Sequence, residues 1–325
     1  VDVFVRKLIT EWRKLNLPFF DESFVVALSG GADSCALTLA LKELQERKKL
    51  NLRFILAHFN HRLRGSASDE DEGFVKDFAA KLGFEIVVGH GNFSSKGNLE
   101  EKAREARYEF LSNVAEKFDS FGVLTAHTVN DQAETFLMNL LRGSGIKGLS
   151  AMKPIRTLKK TAQREILLIR PLLQWAKRCD TESFCQRRAV EFRIDSMNAQ
   201  MNFTRVRIRK KLLPLLEEFN PRIIEVLART ARNLADESEV SSQLLRKLVT
   251  PDLKVVDLQS MPPSLRRAVL RLWLERNLGS LKGIDSVHIE AIERLVMSRK
   301  SGRVVELPKG IHIEKRQGKI FINRV

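Results

Sequence analysis

The sequence predicts an α/β fold: a mostly parallel sheet with flanking helices, followed by a helical linker region and a small α+β C-terminal domain. Three observations predict it. Through the first half, short apolar runs alternate with amphipathic stretches long enough to be helices. The polar clusters of that half fall where the apolar runs end. The second half changes character, with long charged stretches broken by prolines and then three short alternating segments. The expected division is residues 1–215 and 216–325.

The elements follow in order. Residues 1–15, VDVFVRKLITEWRKL, carry charges inside their apolar pattern and read as an amphipathic helix, not a signal peptide. Residues 24–28 are an apolar strand, and residues 34–44 have helical spacing. Residues 52–58 are a second strand, followed by a helix over 68–82 with acidic residues in its first turn. Residues 84–88 are a third strand, 99–115 a helix, 123–126 a fourth strand, 130–141 a helix and 166–169 a fifth strand. Such sheets bind ligands beyond the carboxyl ends of their strands. Polar clusters sit at three of those ends, in residues 29–34, 58–64 and 127–131.

Beyond Pro214 and Pro221, residues 217–248 read as a long charged helix. Pro251, Pro262 and Pro263 mark another break, 264–275 and 287–297 are short helices, and 303–307, 311–314 and 319–323 alternate as strands, with Gly318 in the last turn. A module of this kind suits RNA positioning or dimerisation.

The chain carries 56 Lys and Arg against 40 Asp and Glu, a net charge of +16 that favours a polyanionic partner such as nucleic acid, with a generally basic soluble protein as the alternative. No stretch approaches the about eighteen uncharged apolar residues of a membrane span. The three cysteines, Cys35, Cys179 and Cys185, argue against a disulfide framework and for a reducing, cytoplasmic setting.

In SGGADS, residues 29–34, Gly30 and Gly31 allow a tight turn and a close backbone approach. The loop amides and the N-terminus of the following helix form an anion cradle, to which Ser29 and Ser34 add hydroxyls. Asp33 repels phosphate, so its roles in such a site are Mg²⁺ coordination or holding the loop. The bland alternative is that Asp33 or Ser34 caps a helix. The stretch matches neither G-x-G-x-x-G nor the G-x-x-x-x-G-K-[ST] loop.

These residues resemble the SGGxDS signature of the PP-loop (N-type) ATP pyrophosphatases. That resemblance implies cleavage of ATP between its α and β phosphates, adenylation of a substrate oxygen, and displacement of AMP by a nucleophile. HFNHRLR (58–64), EEKAREARYEFL (100–111), TAHTVNDQAET (125–135), LLRGSG (140–145), RPLL (170–173) and FTRVRIRKKLLPLL (203–216) narrow it further. Together they resemble the bacterial tRNA(Ile)-lysidine synthase family. The named motifs cover about the first two thirds of the chain, and the remainder is similar to the smaller C-terminal domain of shorter family members. The resemblance implies ATP and Mg²⁺ as cofactors. It implies free lysine and a CAU-anticodon isoleucine tRNA as substrates, with lysine joined to C2 of the anticodon cytidine so that the tRNA reads AUA.

The resemblance assigns lysine binding to the positions of Asp131 and Glu134. Three apart, they share a face of one helix, where ordinary N-terminal carboxylates are the alternative. His127 is a candidate for polarising phosphate or holding the loop, and equally a structural histidine. The resemblance places His58, Asn60 and Arg64 beside the nucleotide. A zinc reading of His58 and His61 is disfavoured, because no Cys/His pair completes the set. Arg104 and Arg107 are either solvated ion-pair partners of Glu100 and Glu101, or at least one faces the active site, as the family motif implies. Arg142 is a candidate for stabilising charge on transferred phosphate, while Gly143 fits a helix C-cap.

Residues 153–211 carry 16 Lys/Arg against 5 Asp/Glu, densest at Arg205, Arg207, Arg209, Lys210 and Lys211. RNA phosphates are the simplest use of that strip, and a solvated basic helix face is the alternative. The segment departs from the family pattern D-P-S-N-x-D then R-N-x-[IL]-R: residues 195–200 read DSMNAQ, and Val206 stands in place of asparagine. Cys35 reads as a buried small hydrophobe. Cys179 and Cys185 are six apart and form no C-x-x-C pair, which counts against the thiolating PP-loop enzymes. Other readings are a different PP-loop enzyme, either a tRNA thiolase or an amidotransferase-type synthetase, and a non-enzymatic RNA-binding protein. A homodimer is compatible with the sequence.

Overall fold

The structure is a computed structural model describing residues 2–62, 65–91, 99–162, 164–193, 204–279, 281, 283–300 and 302–324. The chain divides into two compact units, Val1–Ala235 and Asp236–Val325. The division falls within a helix, beyond residue 215, where the sequence pattern changes.

The first unit opens with α1 (Val3–Lys14), β1 (Phe20–Ala27), α2 (Ala32–Glu46), β2 (Asn51–Asn60), α3 (Ser66–Leu82), β3 (Glu85–His90) and α4 (Leu99–Lys117). It continues through β4 (Gly122–Leu124), α5 (Val129–Leu141), α6 (Ile146–Leu149), β5 (Ile155–Lys160), β6 (Glu165–Ile169) and α7 (Arg178–Arg187). Then come α8 (Thr204–Arg207), a π-helical turn over Ile208–Leu212, α9 (Leu213–Phe219) and α10 (Ile223–Arg246). The six strands lie in the order β3-β2-β1-β4-β6-β5, and all neighbours are parallel except β5 and β6.

The period-2 alternation of the strands explains the two covered faces. Phe24 and Val26 of β1, with Phe54 and Leu56 of β2, pack under α1, α2, α3 and α7. Their neighbours Val25 and Ile55 point the other way, under Leu111, Val114 and Ala115 of α4. A third apolar cluster joins Phe136 and Leu137 of α5 to Ile208, Leu213 and Ala231, anchoring the basic segment after residue 204 against α5.

One strand was absent from the sequence reading. β5 (IRTLKK) is an antiparallel edge strand hairpinned onto β6. Its exposed Arg156 and Thr157 break the apolar alternation that marks buried strands, as charged residues on sheet edges do.

The second unit contains α11 (Val255–Ser260), α12 (Pro263–Leu278), α13 (Ser286–Met297) and an antiparallel sheet of β7 (Val304–Leu307), β8 (Ile311–Arg316) and β9 (Lys319–Arg324). Trp273, Leu274, Ile289, Ile292, Ile313 and Ile320 form its core. Among the described residues, no helix is long and apolar enough to cross a membrane.

Candidate active site

Strand order runs outward in both directions from the β1–β4 pair, so a crevice opens at their carboxyl ends. The SGGADS loop leaves β1 there and His127 follows β4 there.

The loop is stapled by its own serines. The Ser29 N–H donates to Ser34 Oγ (3.2 Å), and the Ser34 hydroxyl donates to Gly31 O (2.9 Å). Gly31 is the N-cap of α2, and no side chain caps that helix. The capping alternative for Asp33 and Ser34 therefore fails, and the first-turn amides of α2 are left for an anion. Gly30 has φ +86°, and a Cβ on it would lie 3.2 Å from Val75 Cγ1. A Gly30→Ala variant is expected to keep its fold by circular dichroism and to bind ATP about tenfold more weakly by calorimetry, because alanine relaxes the free loop away from the positive φ and binding must restore about 1–3 kcal/mol of strain.

Asp33 faces across this loop. Its Oδ1 accepts from Thr181 Oγ1, and its Oδ2 lies 4.0 Å from Arg178 Nε. Burial pushes its pKa up to about 6; the neighbouring Asp131 charge adds to the rise, while the Thr181 hydroxyl and Arg178 only partly offset it. A desolvated carboxylate short of positive charge fits a divalent cation. Among the described residues no group of three or more His, Cys, Asp or Glu could hold a metal ion. Asp33 is the residue that would hold a Mg²⁺ ion, which would supply positive charge to bound phosphate.

Asp131 and Glu134 share one face of α5, as their spacing predicts. Asp131 Oδ2 accepts from the Thr128 N–H (2.9 Å) and hydroxyl (3.0 Å), which locks the first turn of the helix. Its Oδ1 accepts from Arg205 Nη2 at 2.8 Å. Glu134 has no exposed surface. It accepts from Arg205 Nε at 2.7 Å and from Arg209 Nε at 2.7 Å and Nη2 at 3.0 Å. Arg178 Nη2 lies 3.5 Å from Glu134 and 3.8 Å from Asp131. Burial alone would raise the Asp131 pKa, but Arg205, His127 and Arg178 hold it well below the usual carboxylate range. Burial keeps His127 neutral, and its Nδ1 lies 2.9 Å from Thr125 Oγ1.

Two sequence assignments change. Arg205 and Arg209, read as phosphate contacts, turn onto Glu134 with 24% and 25% of their side chains still exposed, because the helical turn from 204 packs on α5 through Val206 and Ile208. Arg207, Lys210 and Lys211 of the same strip remain exposed. Arg142 caps the far end of α5, about 16 Å along the helix axis from Asp131, and is not brought to the acid pair.

Arg107 is drawn inward: its Nε is buried without a hydrogen-bond partner. His58 is buried, with Nδ1 2.8 Å from the Leu28 carbonyl, so the ring ties β2 to the start of the loop. Asn60 donates to the Ser68 carbonyl and to Glu72, and accepts from the Arg62 N–H, so its amide organises the loop into α3. Arg64 and residues 195–200 lie outside the described residues. Cys35 and Cys185 are buried, which pushes both thiols up to about 12.

Arg178 and Thr181 were missed in the sequence. They sit one turn apart at the start of α7, and Thr181 lies 148 residues from Asp33 in the chain. The N–H of Arg178 donates to Asn130 Oδ1 at 3.0 Å, which pins α7 to α5.

A family model described as a PP-loop domain matches residues 5–216, and one described as a TilS substrate binding domain matches residues 253–321. A tRNA(Ile)-lysidine synthase from Thermosynechococcus vestitus is 33% identical over 299 residues, covering 89% of this chain and 83% of the relative. The chain belongs to the tRNA(Ile)-lysidine synthase family. A family member from Geobacter sulfurreducens is 36% identical over 315 residues, and one from Dehalococcoides mccartyi is 34% identical over 310. The chain is covered to 92% and 91% in these alignments but spans only 64% and 65% of those two relatives. Among solved structures, the U34-tRNA thiolase NcsA from Methanococcus maripaludis superposes with a TM-score of 0.59 at 18% identity, over 72% of this chain and 79% of that one. That likeness is one of fold.

Proposed function

We propose that the chain joins free L-lysine to C2 of the wobble cytidine of a CAU-anticodon isoleucine tRNA, through an adenylated cytidine, releasing pyrophosphate and then AMP. One observation carries the reading. Arg178 lies within 4.0 Å of Asp33, 3.8 Å of Asp131 and 3.5 Å of Glu134, so the phosphate loop and the buried acid pair belong to one site. A phosphate cradle alone serves any ATP-cleaving enzyme. A cradle beside two buried carboxylates that already gather guanidinium groups suits a cationic amine as second substrate.

In this reading the loop amides and the α2 N-terminus hold the ATP phosphates, and Asp33 would hold a Mg²⁺ that would neutralise the phosphate charge. Asp131 and Glu134 bind the lysine ammonium, with the guanidinium groups of Arg205 and Arg209 occupying its place until phosphate or RNA draws them off. The cytidine oxygen attacks the α-phosphate and pyrophosphate leaves. The lysine amine then attacks C2 and AMP departs, with the proton that the amine sheds passing to the leaving phosphate. Arg207, Lys210 and Lys211 meet the RNA backbone, and the second unit positions the tRNA.

The test is incorporation of labelled lysine into a CAU-anticodon isoleucine tRNA transcript. Incorporation that requires ATP and fails with a methionine tRNA of the same anticodon supports the reading. ATP turnover that ignores both lysine and RNA contradicts it.

A further inference from the structure

Tyr108, the chain's one tyrosine, stands on α4 inside a ring of arginines. The guanidinium carbons of Arg104, Arg107 and Arg156 lie 5.2, 5.2 and 5.3 Å from its ring centroid. Arg104 Nη2 is 3.4 Å from the phenol oxygen. Arg170, at the end of β6, completes the ring: it is 3% exposed, and its Nη1 donates to the Lys153 carbonyl at 2.6 Å. The Nε atoms of Arg107 and Arg170 are both buried without a hydrogen-bond partner.

Among the described residues, these four guanidinium groups share no carboxylate. Among the described residues, none of the four is within ion-pair distance of an Asp or Glu, whereas Arg178, Arg205 and Arg209 nearby are all paired with acids. Partly buried like charges repel, and buried N–H donors without acceptors are costly. The cluster also sits at the carboxyl edge of the sheet. α4 runs back from the end of β3, Arg170 follows β6, and Arg156 pairs with Leu168 near the end of β6. Arg107 and Arg170 both act electrostatically on His127, so the cluster borders the candidate active site.

We infer that Arg104, Arg107, Arg156 and Arg170 form a phosphate-binding subsite around Tyr108, separate from the SGGADS loop. Planar guanidinium forks match phosphate oxygens, and the two orphaned Nε donors supply the missing hydrogen bonds. The oxyanion comes either from the nucleotide, as its phosphates or the pyrophosphate product, or from a phosphodiester of the RNA. Only the second source rests on the proposed function.

Tyr108 reports on the site directly. Burial opposes ionisation of its phenol, but the surrounding arginines outweigh it and bring the pKa down to about 8. A bound phosphate reverses that bias, because it takes the arginines and repels the phenolate. Ultraviolet titration of the single tyrosine in the full chain is therefore expected to show a midpoint near 8, rising toward the ordinary value of about 10 when the site fills. One arm adds inorganic pyrophosphate and the other an anticodon stem-loop RNA. A shift with pyrophosphate assigns the nucleotide as source, a shift with RNA alone assigns the phosphodiester, and both support the subsite.

The surface double variant R104Q/R156Q is expected to start with a higher midpoint and to lose most of the ligand-induced shift. If RNA is the source, its RNA affinity falls about 5–20-fold, with a salt slope shallower by one to two. A midpoint unmoved by either ligand, or an ordinary tyrosine midpoint in the free protein, overturns the inference. Neither result depends on lysine transfer, so the proposed function is tested separately.

Discussion

Glu134→Gln is expected to abolish lysine transfer while RNA-dependent pyrophosphate release stays within a few fold of the parent. Glu134 is joined to the phosphate loop only through Arg178 among the described hydrogen bonds and ion pairs; its oxygens face Arg205, Arg209 and Arg178. Removing its charge takes away half of the proposed ammonium site and leaves the cradle for ATP intact. It also leaves guanidinium groups partly buried without their counter-charge, a loss of about 3–5 kcal/mol when a buried ion pair is broken. Thermal unfolding is expected to show that loss, so the two half-reactions must be compared well below the variant's melting temperature. Loss of both half-reactions in parallel, with a folded variant, would assign Glu134 a structural role only.

Asp33→Asn is expected to act in opposite directions on chemistry and stability. The variant should lose Mg·ATP binding and pyrophosphate release. In the parent, the affinity for Mg·ATP should fall about tenfold per pH unit below about 6, where the buried carboxyl takes up a proton. The variant's residual affinity should be flat across that range.

The stability effect has a definite sign. Folding raises the Asp33 pKa from 3.8 to about 6, so between those values the unfolded chain binds fewer protons, and parent stability falls as pH rises. Asparagine carries no such penalty. At neutral pH the variant should be more stable, by on the order of 1–3 kcal/mol, measured by denaturant unfolding without nucleotide. Equal stability of parent and variant across this range would show that Asp33 is not held in a desolvated, charge-poor position.

Much of the candidate site was legible because its geometry is local in sequence. Ser29 to Ser34 announce a turn that only glycine permits, and Gly30 takes up a positive φ there. The spacing of Asp131 and Glu134 put both on one face of α5. The parallel sheet followed from apolar runs alternating with helices. What stayed hidden depends on contacts between distant segments. Arg205 and Arg209 look like any exposed basic strip until Val206 and Ile208 are seen to bury one side of their helix and turn the arginines onto Glu134. Val206, which replaces the family's asparagine, is itself part of that buried side. Thr181 and Arg178 carry no local signal, since their meaning comes from Asp33 far upstream. β5 escaped because an edge strand with an exposed charged side lacks the pattern of a buried one.

The most direct test of the central claim is a two-product time course with ATP and a CAU-anticodon isoleucine tRNA transcript, first without lysine and then with it. The account predicts RNA-dependent pyrophosphate release without lysine, and AMP release together with lysine-bearing RNA once lysine is added. Pyrophosphate release that needs neither RNA nor lysine would contradict it, leaving the PP-loop fold and its ATP site while removing the lysine-ligating role of Asp131 and Glu134.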